Sequence, residues 1–172
     1  MAQLEGGLRP LSEGETQIDE APLGSRGTLW SILEESFEGL YLRHSKRTLD
    51  EIETVRVARR SGAPVGLIMV KKLAPKVGYV YYVAVARSER GKGIAAMLLE
   101  DALEKFKSEG IDDVYASVEE DNVPSGRLFA AHGFSRTGMV EVAKRFGALH
   151  AVSMYRVMMV VPGEVLLHKS LP

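Results

Sequence analysis

The sequence predicts an α/β (α+β) domain built on one mixed sheet. Three observations carry that reading. "VRVARR" and "VGLIMVKK" flank "SGAP" (Ser61–Pro64), where β-branched runs meet a Gly/Pro turn, and this predicts a hairpin. A strand, a helix and a strand then follow over residues 78–118, the pattern of a right-handed crossover between parallel neighbours. The chain has 172 residues, a length that suits a single domain over 1–172 with a sizeable core.

Taken in order, residues 1–27 are rich in Gly, Glu and Ser, with 1–7 a candidate disordered segment and "LRPL" (Leu8–Leu11) a candidate first strand. Thr28 reads as an N-cap ahead of Leu29, Ile32, Leu33 and Phe37 at helical spacing. "TLDE" (Thr48–Glu51) has capping-box spacing and predicts the start of a second, short helix. After the hairpin, "GYVYYVAV" (Gly78–Val85) predicts a strand. Leu98, Leu99, Ala102, Leu103 and Phe106 then form a helical stripe, with Lys105 and Lys107 near its end and Gly110 as its stop. "DVYASV" (Asp113–Val118) is the next strand, and "VPSGRLFAAHG" (Val123–Gly133) fits a helix with Pro in its first turn. "GMVEVAK" and "ALHAVSMYRVMMVV" read as strands around "RFGA". The tail Val161–Pro172 reads as a C-terminal extension, with "EVLLHKSL" a candidate strand at a sheet edge or against a second subunit in a homodimer.

Composition excludes several classes. The chain has no cysteine, so disulfides, a thiol nucleophile and thiolate metal sites are ruled out. His44, His132, His150 and His168 lie far apart without metal-ligand spacing, and no metal is expected. The formal net charge of -1 gives no basic field for nucleic acid or acidic membranes. No apolar run reaches the roughly 18 residues of a membrane span, and no charged-then-apolar leader opens the chain, so a cytoplasmic protein is expected.

"RGKGIAAMLLE" (Arg90–Glu100) is the stretch with chemistry in it. The first four N–H groups of a helix lack internal partners, and the helix dipole adds partial positive charge there. Gly91 and Gly93 let a phosphate approach the backbone, and Arg90 and Lys92 add charge. A capped surface loop is the plain alternative. A P-loop needs four residues between its glycines and then Lys-Ser/Thr, which this stretch lacks. A dinucleotide fingerprint matches Gly91, Gly93 and Ala96, yet "ARSER" separates the first glycine from its strand and too little chain follows for the rest of such a sheet.

"VAVARSERGKGIAAMLL" resembles the cofactor segment of the GNAT superfamily of acyl-CoA-dependent N-acetyltransferases, whose Arg/Gln-x-x-Gly-x-Gly/Ala core is met by Arg90, Gly93 and Ala95. A second family segment is matched by Asn122, the chain's single asparagine, with Ser125, Phe129, Gly133 and Phe134. The resemblance covers roughly residues 65–158. It implies a mixed central sheet of about six to seven strands with a splayed parallel central pair, flanked by about four helices. It implies acetyl-CoA as co-substrate, its pantetheine arm on the backbone of Val83, Ala84 and Val85 and its pyrophosphate on Arg90, Gly91, Lys92, Gly93, Ile94 and Ala95. Asn122, Ser125 and Phe129 complete the implied cofactor contacts, with a helix N-cap as the competing role for Asn122.

The implied reaction is direct attack of a primary amine on the thioester in a ternary complex, the amine belonging to a small molecule, a protein N-terminus or a lysine. Two positions depart from the family. The tyrosine that donates to sulfur falls at Phe129, and a glutamate base of the subgroup acting on ribosomal-protein N-termini falls at Ser117. Strand alternation offers substitutes. Tyr115, Ser117 and Glu119 share one face, with Glu119 a candidate base through water; Tyr79, Tyr81 and Val83 share a face of the neighbouring strand, with Tyr81 a candidate proton donor. His132 reads as structural; Lys144, Arg145 and Phe146 lie between the last strands, where the resemblance implies part of the acceptor pocket and a plain hairpin turn is the alternative. The empty positions keep a rival reading open, a catalytically inactive acyl-CoA-binding sensor or regulatory module.

Overall fold

A computed structural model of the chain describes residues 15–158 and 160–172. The expected strand at "LRPL" and the candidate disordered residues 1–7 lie outside the described residues. Seven strands form one sheet in the order β1-β2-β3-β4-β5-β7-β6. Their ranges are β1 Thr16–Glu20, β2 Thr54–Arg60, β3 Ala63–Ala74, β4 Val77–Val85, β5 Asp113–Glu119, β6 Ser135–Thr137 and β7 Glu164–Ser170. Strands β1 to β4 form an antiparallel meander, β4 and β5 run parallel, and β7 is antiparallel to both β5 and β6. The β2–β3 hairpin turns at Ser61 and Gly62, both at positive φ, as the "SGAP" signal predicts.

Among the described residues six α-helices cover the sheet, where about four were expected. On one face lie α3 (Ile94–Ser108) and α4 (Val123–Ala131). The α3 stripe of Leu98, Leu99, Ala102, Leu103 and Phe106 packs there on Val70, Val80, Val114 and Ala116. Each large side chain buried this way contributes about 1.5–3 kcal/mol. Gly66 on β3 admits the start of α3: an added Cβ there would sit 3.0 Å from Ile94 and 3.1 Å from Leu98. The helix can therefore approach the sheet only over a residue without a side chain.

The opposite face carries two helix pairs. α1 (Trp30–Ser36) and α2 (Gly39–Glu51) cover Val55, Val57, Leu67, Met69 and Ala84, while α5 (Met139–Phe146) and α6 (Ala148–Met158) cover Val77, Tyr79, Tyr115 and Leu166. Tyr81 borders both clusters, so the seam between the helix pairs runs over β4. Buried Arg26 fixes α2 in place. Its guanidinium donates to the carbonyls of Leu49 (2.8 Å), Ile52 (2.5 Å), Glu53 (3.1 Å) and Ala21 (3.2 Å), answering the negative end of the helix with a cation.

Four local expectations are corrected. Thr28 is no N-cap; its hydroxyl donates to Ser25 O, and α1 starts at Trp30 behind a 3-10 turn, Leu23–Leu29. "TLDE" closes α2 instead of opening a helix, because the buried Leu49 belongs to the stripe that Ser45 begins. "GMVEVAK" and the run to Met158 are the helices α5 and α6, not strands. Their buried and half-buried positions, Val142, Ala143 and Phe146, then Ala151, Met154, Tyr155 and Met158, keep a helical period, whereas Val140, Val152 and Val157 face solvent. Apart from Val142, the valines named here that suggested strands thus lie outside the buried stripe. The tail strand β7 is not at an edge: β5 flanks it on one side and β6 on the other.

Candidate active site

Parallel pairing of β4 and β5 covers only Val77–Val80 against Asp113–Ala116. Beyond it the strands part. The cause lies in β4: Val80 pairs with Val70 and Tyr82 with Met69, so Tyr81 is an extra residue, a β-bulge. Bulges raise local twist and end regular pairing. This one also resets the alternation. Tyr79, Tyr81 and Tyr82 all project to the α1/α2/α5/α6 face, while Val83 and Val85 pack against the α3/α4 core. The expected grouping of Val83 with Tyr79 and Tyr81 is therefore corrected.

The Ala86 N–H donates to Val65 O on β3 at 2.9 Å. Backbone direction alternates along a strand, so Ala84 also faces β3, and Val83 and Val85 turn their peptide groups toward the gap. Val85 O already accepts from Arg90 Nε at 3.1 Å. Val83 and the Val85 N–H stay available to an extended ligand.

At the mouth of this gap α3 begins. Gly91 and Gly93 have φ of 75° and 80°, and a Cβ on either would meet no atom within 4 Å, so the loop forms an open cradle beneath unbonded helix N–H groups. Buried Ile94 anchors it to the core. The cations beside it are engaged. Arg90 donates to Glu35 O (2.7 Å) and Ser36 Oγ (3.3 Å), tying α1 to the loop. Lys92 and Arg60 flank Glu89 at 3.1 and 2.7 Å, and hydrogen bonds from Arg60 and Lys92 hold its carboxyl below the usual carboxylate range. Asn122 is the N-cap of α4, its Oδ1 accepting from Ser125 N at 3.1 Å. The Phe129 ring is buried edge-on to Phe134, centroids 5.0 Å apart, and offers only an apolar surface.

On the other face, phenols and carboxylates meet at the seam. Tyr79 Oη lies 2.8 Å from Ser117 Oγ and donates to Met158 O at 3.1 Å. Tyr81 donates to Val157 O at 3.0 Å. These two bonds satisfy carbonyls at the open end of α6. Tyr41 on α2 donates to Glu164 Oε1 at 2.9 Å, spanning the seam, and Glu164 Oε2 accepts from the Val161 N–H. Glu119 and Glu164 are direct partners across β5 and β7, so their carboxylates share this face. Burial raises the pKa of Tyr79, Tyr81 and Tyr41, the last also through Glu164, and pushes Tyr82 up to about 12.

The seam therefore gathers Ser117, Glu119 and Tyr81, and adds Tyr41 and Glu164, which the sequence reading missed. Nothing local marks these two; they meet through chain pairing across 123 positions. Lys144, Arg145 and Phe146 stand on α5, not in a turn; Lys144 is exposed, and the other two face the opposite end of β5, where Arg145 pairs with Asp113 at 2.7 Å and Phe146 packs on Tyr115. His132 caps the end of α4, with Nδ1 2.7 Å from Leu128 O, and reaches Glu100 on α3 through Nε2 at 3.3 Å. A concavity of 350 Å³ lies between α4, β6 and β7, and Glu119 and Asn122 are among the residues that line it. Among the described residues no group of three or more His, Asp or Glu stands where it could hold a metal ion.

A sheet parted between parallel strands, with a glycine loop at a helix start on one side and phenols and carboxylates on the other, fits the acyl-carrier transferase that the sequence resemblance implies. The comparisons narrow this. The model of the "Acetyltransferase (GNAT) family" matches residues 26–134. The L-2,4-diaminobutyric acid acetyltransferase of Streptomyces coelicolor is 32% identical over 138 residues, covering 76% of this chain and 81% of that protein. N-alpha-acetyltransferase 30 of Saccharomyces cerevisiae is 29% identical over 111 residues, covering 60% and 63%. The crystal structure of the PaiA N-acetyltransferase from Thermoplasma acidophilum in complex with coenzyme A superposes with a TM-score of 0.70 at 15% identity, covering 91% of this chain and 99% of that one. The chain belongs to the GNAT acetyltransferase family. It is an N-acetyltransferase that takes its acetyl group from acetyl-CoA.

Proposed function

We propose that this chain acetylates the primary amine of a small, positively charged molecule, with the two substrates entering from opposite faces of the sheet. The observation that carries the reading is the Tyr41–Glu164 hydrogen bond, which bridges α2 and β7 across the acceptor seam. A bridged seam admits a small amine more readily than a peptide chain. Glu119 and Glu164 make the entrance negative, which suits a cationic acceptor. The diaminobutyric acid named for the Streptomyces relative is an amine of this kind. A cytoplasmic location and a single catalytic domain belong to the same reading; no helix among the described residues is long and apolar enough to cross a membrane.

Acetyl-CoA supplies a thioester carbon open to attack by a neutral amine. The backbone of Val83 and Val85 holds the extended arm, and the cradle from Gly91 to Ala95 seats the pyrophosphate. Asn122 and Ser125 keep α4 in register beside it. Glu119, exposed at the seam, takes the ammonium proton through water so that the nitrogen lone pair is free. Tyr81 stands at the bulge; its proton is held by Val157 O, so donation to the departing sulfur needs that bond to switch.

Calorimetric titration with acetyl-CoA, followed by thiol release with L-2,4-diaminobutyrate, L-lysine and an alanine tripeptide, tests the reading. The expected result is micromolar binding and faster turnover of the free diamino acids. Preference for the tripeptide would overturn the small acceptor; binding with no turnover of any amine would favour the sensor.

A further inference from the structure

We propose that Ser117 contacts the acceptor amine as a hydrogen-bond acceptor, a polarity imposed on it by Tyr79 and the Met158 carbonyl, and that this selects primary over secondary amines. The inference rests on the amine-acetylation reading above and deepens it.

Proton counting carries it. The Met158 carbonyl, at the end of α6, can only accept. Tyr79 has one hydroxyl proton and lies 3.1 Å from that oxygen, so the proton goes there. The phenol stays protonated, because burial raises its pKa. The 2.8 Å contact between Tyr79 Oη and Ser117 Oγ then needs a proton from Ser117. Ser117 has only one. Its remaining capacity is lone pairs, and its place is decisive: pairing of β4 with β5 ends at Val80 and Ala116, so Ser117 is the first β5 residue at the apex of the gap. It is half-buried, and with the acyl arm in the gap as proposed above, the thioester and the amine meet beside it.

A neutral primary amine has two N–H groups and a lone pair. One N–H bonds Ser117 and orients the lone pair toward the acyl carbon. As the N–C bond forms and the C–S bond breaks, the other proton leaves toward the base. The N–H on Ser117 stays and becomes the amide N–H of the product. A secondary amine has one N–H and cannot serve both partners.

The test compares the wild type with Ser117→Ala, Ser117→Thr and Tyr79→Phe. Acetyl-CoA affinity is read by calorimetry, and thiol release is read with L-2,4-diaminobutyrate, L-lysine and the alanine tripeptide, each beside its N-methyl derivative. Losing one neutral hydrogen bond corresponds to about a tenfold change. Ser117→Ala is expected to lose about tenfold in kcat on the primary amine, keep its rate on the N-methyl amine, and bind acetyl-CoA as before. Ser117→Thr, which retains the hydroxyl, should restore the preference. Tyr79→Phe frees the serine proton and should weaken the preference partially. Ser117→Ala with unchanged selectivity, or with a gain on the N-methyl amine alone, overturns the inference while leaving amine acetylation standing. A wild type that turns over no amine overturns both.

Discussion

The two faces of the parted sheet are built by different means. The cofactor seat proposed on the α3/α4 side is backbone: peptide groups of Val83 and Val85, two glycines at positive φ, and a helix start. The proposed acceptor seat on the seam face is side chains, drawn from α2, β4, β5 and β7. A backbone seat recognises what all acyl-CoA molecules share. A side-chain seat is replaced one residue at a time, so acceptor choice can change while the cofactor seat is left intact.

Substitutions on either face can break that division or sharpen it. Gly93→Glu should have the largest effect. It puts a carboxylate and an unfavourable positive φ into the anion cradle, and acetyl-CoA affinity should fall by a hundredfold or more in calorimetry, on the order of 3 kcal/mol. Glu119→Gln should lower kcat by about a hundredfold and leave that affinity unchanged. Comparable loss of cofactor binding in Glu119→Gln would show that the faces are not separable. Arg26→Met tests the seam face through its scaffold. Four carbonyls lose a buried donor, and unfolding in urea should show a loss of about 2–3 kcal/mol with little change in acetyl-CoA affinity of the folded protein. Tyrosine ionisation gives the smallest effect. All six tyrosines have raised pKa values, chiefly through burial, with Tyr82 and Tyr115 at about 12. An unfolded tyrosine ionises near 10. The folded state thus binds these protons more tightly, and its advantage is complete below pH about 10 and is lost as pH rises toward about 12. Absorbance at 295 nm should show little tyrosinate at pH 10 in the native protein and about half-ionisation in guanidinium.

The same contrast governs what the sequence reveals. The cradle is legible because its cues are local: glycines at 91 and 93, then an apolar stripe with a period of 3.6. The Tyr79–Val83 grouping fails because a bulge leaves no mark in composition, yet it moves every later side chain to the other face. Valines misled the reading of α5 and α6, since intrinsic strand preference is weak against a helix whose buried positions are Val142, Ala151, Met154 and Met158. Glu164 stayed hidden because its partner, Tyr41, depends on where the tail enters the sheet.

That entry point governs the order of assembly. Among the described residues strand β6 joins the sheet only through β7, which comes later in the chain. As the polypeptide leaves the ribosome, β5 keeps an open edge and β6 has no neighbour until residues 164–170 arrive. Such a long-range closure is slow to form. The Tyr41–Glu164 bridge, which waits for the tail, therefore closes after the glycine loop and α3 have been made.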